Sequence, residues 1–201
     1  MSSTIIITLI KELQFNFLMM SYLEAIRRLR EEYADLTRNP ISEFRVIVSL
    51  SNEQDITKWY CVFIAPPDTS YKDGMFKVKL TFPENYPSHP PRVKFITPIY
   101  HVNVLYKHFN YYFDIGTPFL RIVESWRPEY KVRDILISIF SLFYMHNINC
   151  FYERDFVSEV RNNKNLYNEK IKYFTKKYAE AHLFDKYSNT NEDNWDFSYN
   201  V

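Results

Sequence analysis

The first regular pattern along the chain is a helical one that starts at Ser21. From there, apolar residues recur at steps of three and four, which is the spacing of one face of an α-helix. This stripe consists of Leu23, Ile26, Leu29, Tyr33 and Leu36. Ser21 and Glu24 have the spacing of a capping box, and Asn39-Pro40 stops helical backbone. We therefore predict one amphipathic helix between these limits.

The pattern then changes to a period of two, which is typical of strands with one buried face. The predicted strands are Phe44–Leu50, Trp59–Ile64, Phe76–Phe82 and Val93–Ile96. Turns separate the first three strands, and the proline-dense stretch Pro83–Pro91 leads to the fourth. Short strands at this spacing predict an antiparallel meander with one face open to water.

Regular patterning is lost for about thirty residues after Ile96, and a structureless stretch of that length in a compact domain is usually functional. Helical spacing returns over Val132–Phe143, which is apolar almost all round and predicts a buried helix. Stripes over Phe156–Val160 and Tyr167–Ala181 predict two further helices. This order of elements indicates an α+β domain.

Composition narrows the possible functions. The formal net charge of +1 favours neither a nucleic acid nor an anionic membrane as a partner. Two glycines cannot form a glycine-rich phosphate loop, so we expect no nucleotide cofactor. The two cysteines, Cys61 and Cys150, form no metal-binding cluster and no disulfide framework. A reducing compartment, and so a cytoplasmic or nuclear location, is the expectation.

The first twenty residues, MSSTIIITLIKELQFNFLMM, are apolar but interrupted by Lys11, Glu12, Gln14 and Asn16. Because about eighteen uncharged apolar residues in a row are absent, we predict no membrane span. The segment is predicted to pack as an extra element on the domain or on a second copy of it, with a start at Met20 as the alternative. The predicted division is an extension 1–20, a domain 21–184 and an acidic tail 185–201.

Three stretches together resemble the ubiquitin-conjugating enzyme family. They are FPENYPSHPPRVKFITPIYHVN (Phe82–Asn103), APPDTSYKDGMF (Ala65–Phe76) and ESWRP (Glu124–Pro128). The similarity covers about Ser21–Phe184. It implies that family's fold: an N-terminal helix, a four-stranded antiparallel meander, a buried central helix and two C-terminal helices. It also implies a cis peptide bond between Tyr86 and Pro87.

The resemblance implies a catalytic cysteine that this chain lacks. In the family, a cysteine about eight residues after the Asn of a His-Pro-Asn motif carries ubiquitin as a thioester, two residues before an acid. Here His101 and Asn103 are kept, and the count from Asn103 or back from Asp114 reaches Tyr111 or Tyr112. A phenol is roughly thirtyfold less ionised than a thiol near neutrality, so neither tyrosine can replace it. We predict an inactive variant whose Asn103 is retained for architecture.

Two alternatives stay open from the sequence. Cys150 aligns where the family has an acid near the active cysteine, so a displaced nucleophile with His146 as its base would make the protein an enzyme. The protein could also be a structural adaptor unrelated to ubiquitin transfer. The inactive variants of this family that pair with active enzymes typically lack the last two helices, which this chain keeps.

The resemblance also implies partners, namely ubiquitin or a ubiquitin-like protein and an active conjugating enzyme or ligase. We expect no nucleic acid, membrane span, cofactor or metal. The basic first helix lies where the family meets the activating enzyme, and Ser88 replaces a large apolar residue that often contacts ligases. The aromatic loop gives a further candidate surface. The candidate partner-binding residues are Arg27, Arg28, Ser88, Trp126, Pro128, Tyr106 and Phe109.

Overall fold

The computed structural model describes residues 2–107, 110–113, 126–148 and 154–183. The helices are α1 (Ser2–Arg38), α2 (Val132–Ser141), α3 (Arg154–Asn162) and α4 (Lys164–Phe174). The strands are β1 (Val46–Asn52), β2 (Asp55–Ile64), β3 (Met75–Thr81), β4 (Arg92–Phe95), β5 (Leu105–Lys107) and β6 (Asn110–Phe113). Short 3₁₀ turns at Ser42–Phe44 and Ala181–Leu183 and a π-helical turn at Thr175–Ala179 complete the described elements.

The strands form one antiparallel sheet in the order β1-β2-β3-β4-β6-β5. The first four strands are the meander that the sequence predicts, and their ends agree with the prediction within a few residues. The hairpin β5–β6 was not predicted, and it extends the meander beyond β4. The peptide bond between Tyr86 and Pro87 is cis, as the resemblance implies.

One face of the meander covers the core, and the other is open. In β3, Phe76, Val78 and Leu80 are buried, and the alternate residues are half-buried. Because side chains alternate across a strand, this pattern places one apolar row against the helices. This row belongs to the same core cluster as the buried residues of helix α2, which are Val132, Ile135, Leu136, Ile139 and Phe140.

Helix α1 is longer than predicted and crosses the expected boundary at residues 20–21 without interruption. The predicted capping box at Ser21 is wrong, because no Pro or Gly precedes Asn39 to break the helix and Ser21 lies inside it. Ala25, Leu29 and Leu36 are buried against the domain, whereas Leu23 is exposed, contrary to prediction.

Residues 5–20 of α1 are all exposed. The prediction that they pack on their own domain is therefore wrong, because α1 continues as a helix beyond the residues that the core buries. An 18-residue stretch of this helix, within Ile5–Arg38, has the length and apolarity of a membrane span, and none of it is buried in the protein. The absence of a membrane span stays a prediction.

A buried carboxylate joins three parts of the domain. Glu32 is 6% exposed and accepts hydrogen bonds from the Arg28 Nε (2.5 Å), the Tyr86 hydroxyl (2.8 Å) and the Val132 N–H (2.6 Å). Helix α1, the proline-dense connection and the first turn of α2 therefore share one acceptor. A buried carboxylate is tolerated because its oxygens are bonded and a cation lies beside it.

Candidate functional site

The segment between β4 and β5 carries the residues that the sequence predicts to form a site. Ile96, Thr97, Ile99 and the stretch His101–Val104 are all buried. The loop is held to β3 because the Lys77 N–H donates to the Thr97 hydroxyl at 2.9 Å. The segment is therefore part of the core.

His101 is 1% exposed, and both ring nitrogens have backbone partners. Its Nε2 lies 3.0 Å from the Leu142 carbonyl oxygen, and its Nδ1 accepts the Asn103 N–H at 3.0 Å. These partners require the tautomer with hydrogen on Nε2. Burial, with a smaller contribution from the nearby His146, lowers the pKa of His101 to about 3. The ring is therefore neutral and acts as a structural link.

The Asn103 side chain is completely buried and forms a reciprocal pair with the backbone of Asn147. Its Nδ2 donates to the Asn147 carbonyl at 2.7 Å, and its Oδ1 accepts the Asn147 N–H at 2.9 Å. Both ends of the amide are used to hold the segment after α2 against the loop. This pair uses one of the two Nδ2 hydrogens and one lone pair of Oδ1, so the side chain has a structural role in the fold.

The His146 ring stacks on the ring of His101, with 4.9 Å between centroids. It also packs edge-on against Tyr167 at 5.3 Å. Its Nε2 is buried and has no hydrogen-bond partner among the described residues. Burial, together with the positive charge of Lys164, lowers the pKa of His146 to about 4. The predicted base of the displaced-cysteine alternative therefore lies inside an aromatic cluster.

The same loop is bonded to the terminal helices. The Val102 N–H donates to the Tyr167 hydroxyl of α4 at 2.9 Å, and the Tyr100 hydroxyl donates to the Glu159 carboxylate of α3 at 2.8 Å. The ring of Tyr100 packs against Phe156 at a centroid distance of 4.6 Å. Helices α3 and α4 thus complete the surroundings of the candidate site.

Tyr111 and Tyr112, the residues at the expected nucleophile position, are consecutive in β6. Tyr112 is paired through the backbone with Lys94 of β4 on one side and Leu105 of β5 on the other, while Tyr111 is paired with Tyr106. Both positions therefore belong to an ordered ladder. The described structure extends only to the backbone of these residues.

Three of the candidate partner-binding residues, Ser88, Trp126 and Pro128, lie on two neighbouring loops. The Trp126 Nε1–H donates to the Pro87 carbonyl at 2.6 Å. The Trp126 ring packs on the Tyr86 ring, with 6.1 Å between the ring centroids. Ser88 and Pro128 are exposed on either side of this bond. The structure therefore brings these predicted residues together on one surface, with Trp126 half-buried beneath it.

The basic residues of α1 differ in their surroundings. Arg27 is exposed and forms an ion pair with Glu31 at 2.9 Å. Arg28 donates to Glu32 and, at 3.3 Å, to the Tyr130 carbonyl, so it serves the packing of the domain. Of these two candidate partner-binding residues, only Arg27 presents its charge mainly to solvent.

Several predicted residues lie outside the described residues, namely Phe109, Asp114, Cys150 and the tail 185–201. The other cysteine, Cys61, is fully buried in β2, and burial raises the pKa of its thiol. Within the described part of the chain, no group of three or more His, Cys, Asp or Glu residues could hold a metal ion.

Sequence reasoning missed two residues that organise the site. Glu32 falls on the buried face of α1, and a charged residue in line with Leu29 and Leu36 is a signal for a buried network. Asn147 acts through its backbone, so its side-chain type carried no signal. The contact between His101 and His146 also depends on the tertiary fold.

Comparison with known proteins gives consistent matches. The family model described as "Ubiquitin-conjugating enzyme" matches residues 28–175. The chain is similar to a "Ubiquitin-conjugating enzyme E2" of African swine fever virus (isolate Pig/Kenya/KEN-50/1950), with 35% identity over 58% of this chain and 53% of the relative. It thus spans about half the length of that viral relative.

Cellular relatives match at similar identity. A "Probable ubiquitin-conjugating enzyme E2 7" of Caenorhabditis elegans is 37% identical over 57% of this chain and 72% of its own length. A "Ubiquitin-conjugating enzyme E2 2" of Candida albicans (strain SC5314 / ATCC MYA-2876) is 34% identical over 74% of this chain and 77% of its own length. The family match covers the meander, the candidate site and most of the helices that surround it.

Proposed function

The chain belongs to the ubiquitin-conjugating enzyme family, and from that premise we propose that it is a catalytically inactive member that acts as a binding partner or adaptor in a ubiquitin or ubiquitin-like pathway. Its partners would be the modifier itself, an active conjugating enzyme or a ligase. We propose a cytoplasmic or nuclear location, which is consistent with the free, buried thiol of Cys61.

One sequence observation carries the proposal. No cysteine occurs between Cys61 and Cys150, so the whole stretch that follows Asn103 up to the end of α2 lacks a thiol. Cys61 cannot replace it, because it is fully buried in β2 and burial disfavours its thiolate. A conjugating enzyme needs a thiolate that is accessible to solvent and to the activating enzyme that carries ubiquitin.

The surroundings of Asn103 support the same proposal. Its amide forms a reciprocal pair with both backbone groups of Asn147, and His101, which accepts the Asn103 N–H, is held in a single neutral tautomer by Leu142. These bonds stabilise the loop whether or not a thioester is ever formed. Retention of the two side chains in the absence of a nucleophile therefore has a structural reason.

The direct test is a charging assay with activating enzyme, ATP and ubiquitin, read on a non-reducing gel. We expect no thiol-sensitive adduct on the wild-type chain. Tyr112→Cys and Tyr111→Cys test whether only the nucleophile is missing, and gain of an adduct by either one would support the assigned position. An adduct on the wild-type chain would contradict the inactive assignment.

The same gel distinguishes the displaced-cysteine alternative from the inactive assignment. Under that alternative, wild type carries an adduct, Cys150→Ser carries none, and Cys61→Ala retains it. Cys61→Ala is the matched control, because it removes the other thiol of the chain. Absence of an adduct in all three proteins would dismiss Cys150 as the nucleophile.

The partner part of the proposal has its own test. Immobilised wild type is compared with Ser88→Glu and Arg27→Glu for capture of ubiquitin, charged conjugating enzymes and purified ligase domains. Both residues are exposed, so each change should alter the free energy of unfolding by less than about 0.5 kcal/mol, including the loss of the ion pair between Arg27 and Glu31. Loss of one class of partner in one variant would assign the surface. If none of these purified proteins binds wild type, the structural adaptor unrelated to ubiquitin transfer is favoured.

A further inference from the structure

The projecting half of α1 carries a regular apolar row, which we call the outer stripe. It consists of Ile6, Ile10, Leu13, Phe17 and Met20. The residues are separated by four, three, four and three positions, which is the seam of a two-stranded coiled coil. Each is between 48% and 73% exposed.

The outer stripe does not face the domain. At 3.6 residues per turn, its centre lies about 120° around the helix axis from the face that contains Ala25, Leu29 and Leu36. Extending the buried face toward the N-terminus leads to Lys11 and Leu18 instead. The domain to which the helix belongs therefore cannot cover the stripe without a bend in α1.

The composition of the helix separates the stripe from its polar residues. Lys11, Glu12, Gln14 and Asn16 all lie off the stripe. Most helical stability in proteins comes from the packing of an apolar face. A helix that projects with this face uncovered needs a partner surface.

We propose that a second copy of this chain is that partner, with the two outer stripes packed against each other as an antiparallel pair. Covering the five stripe residues and the adjacent Leu9 on both copies would remove roughly 1,200 Å² from water, which is the lower bound of a specific interface. Because this area is at the lower bound, we expect a dimer of moderate affinity whose population depends on protein concentration.

The charges beyond the stripe favour the antiparallel orientation. The spacing of the stripe continues to Glu24 and then Arg27. A parallel pair would place each Arg27 against its copy and would bring both folded domains to one end. An antiparallel pair places Ile6 across from Met20 and leaves Arg27 in its ion pair with Glu31. Like charges are thereby kept apart.

A bilayer is the competing surface, since this segment has the length and apolarity of a span. Charged residues are costly at the centre of a membrane, and Lys11 and Glu12 occupy the middle of the segment. Their charges also cancel, so the segment has no excess of positive charge to attract anionic lipids. Pairing of stripes accommodates both residues in water.

The experiment is sedimentation equilibrium on the full chain with two matched double variants. Leu13→Gln with Phe17→Gln alters the stripe, and Leu18→Gln with Phe15→Gln makes the same chemical change off the stripe. The four residues are similarly exposed, at 62% to 73%. We expect wild type and the off-stripe variant to dimerise, and the stripe variant to bind its copy at least about a hundredfold more weakly.

Flotation with neutral phosphatidylcholine vesicles separates the alternatives. A wild-type chain that is monomeric in water at all concentrations would overturn the proposal. Equal weakening by both double variants would also overturn it, since it would indicate non-specific association. Capture of wild type by vesicles without dimerisation would assign the helix to the bilayer. Circular dichroism of each variant establishes that the domain is folded.

Discussion

Both halves of α1 are helical, but one half packs into the domain and the other is exposed. From Ala25 to Leu36 the helix is part of the core, and its one buried carboxylate has three donors. From Ile5 to Tyr22 its apolar side chains are exposed. The comparison shows that helix formation and domain membership are separate properties: the first depends on local residues, and the second depends on what the rest of the chain supplies.

The largest expected difference is between two glutamates, one in each half. Glu32→Ala leaves Arg28, the Tyr86 hydroxyl and the Val132 N–H without their acceptor, so we expect a loss of about 4 kcal/mol in the free energy of unfolding. Glu12→Ala should change it by less than about 0.5 kcal/mol. Urea unfolding of both variants is the measurement, and similar losses would remove the distinction between the halves.

Two leucines make the same comparison without charge. Leu29 is 0% exposed, and Leu13 is 68% exposed. Leu29→Ala should cost about 3 kcal/mol because it leaves a cavity, while Leu13→Ala should leave domain unfolding nearly unchanged. Both are measured by thermal and urea unfolding at low protein concentration, so that association does not contribute. A cost for Leu13→Ala close to that for Leu29→Ala would show that the projecting half is packed on the domain.

Acidification below pH 6.5 should lower the stability of the domain through its histidines. The projecting half of α1 should not respond in this way, because no histidine precedes His89. The pKa values of His101 and His146 are lowered to about 3 and about 4, whereas both groups take up protons near pH 6.5 when unfolded. The unfolded state then binds more protons below pH 6.5, so stability falls on acidification toward pH 4.

The expected loss from this titration is about 2.4 kcal/mol between pH 6 and pH 5, or about 1.2 kcal/mol for each group, because the unfolded histidines are only partly protonated at pH 6. Urea midpoints across this range test it. His146→Asn removes one of the two groups with a lowered pKa and should therefore reduce the slope. Stability that is constant from pH 6 to pH 5 would contradict the buried, neutral state of the two rings.

The smallest effect is expected from removing residues 2–19. Because residues 5–20 are exposed, the monomeric domain should keep its free energy of unfolding within about 0.5 kcal/mol. The deletion should nevertheless abolish the dimer. A clear drop in melting temperature at concentrations where the chain is monomeric would instead indicate contacts between this segment and the domain.

The sequence predicted the parts of the fold that depend on local periodicity. The alternation in β3 and the apolar run of α2 predicted both elements almost to the residue. The predicted start of α1 was wrong. Ser21 and Glu24 can form a capping box only if the preceding turn is not helical, and Ile5–Met20 contain no residue that breaks a helix. The hairpin β5–β6 was missed because its two strands have three and four residues.

The site was predictable in its residue types and not in its contacts. His101 and Asn103 were recognised from their spacing. Their partners, the carbonyl of Leu142 and the backbone of Asn147, are peptide groups that every residue possesses, so only the tertiary fold identifies them.

The bonds between the site loop and the terminal helices also constrain how the chain is made. Tyr100 and Glu159 are 59 residues apart, and Val102 and Tyr167 are 65 residues apart. A ribosome releases the loop long before it releases these partners, so the nascent domain holds a buried N–H and a phenol without their final acceptors until α4 emerges. A message truncated before Arg154 would therefore yield a chain that cannot close its core, and quality-control proteases would be expected to remove it.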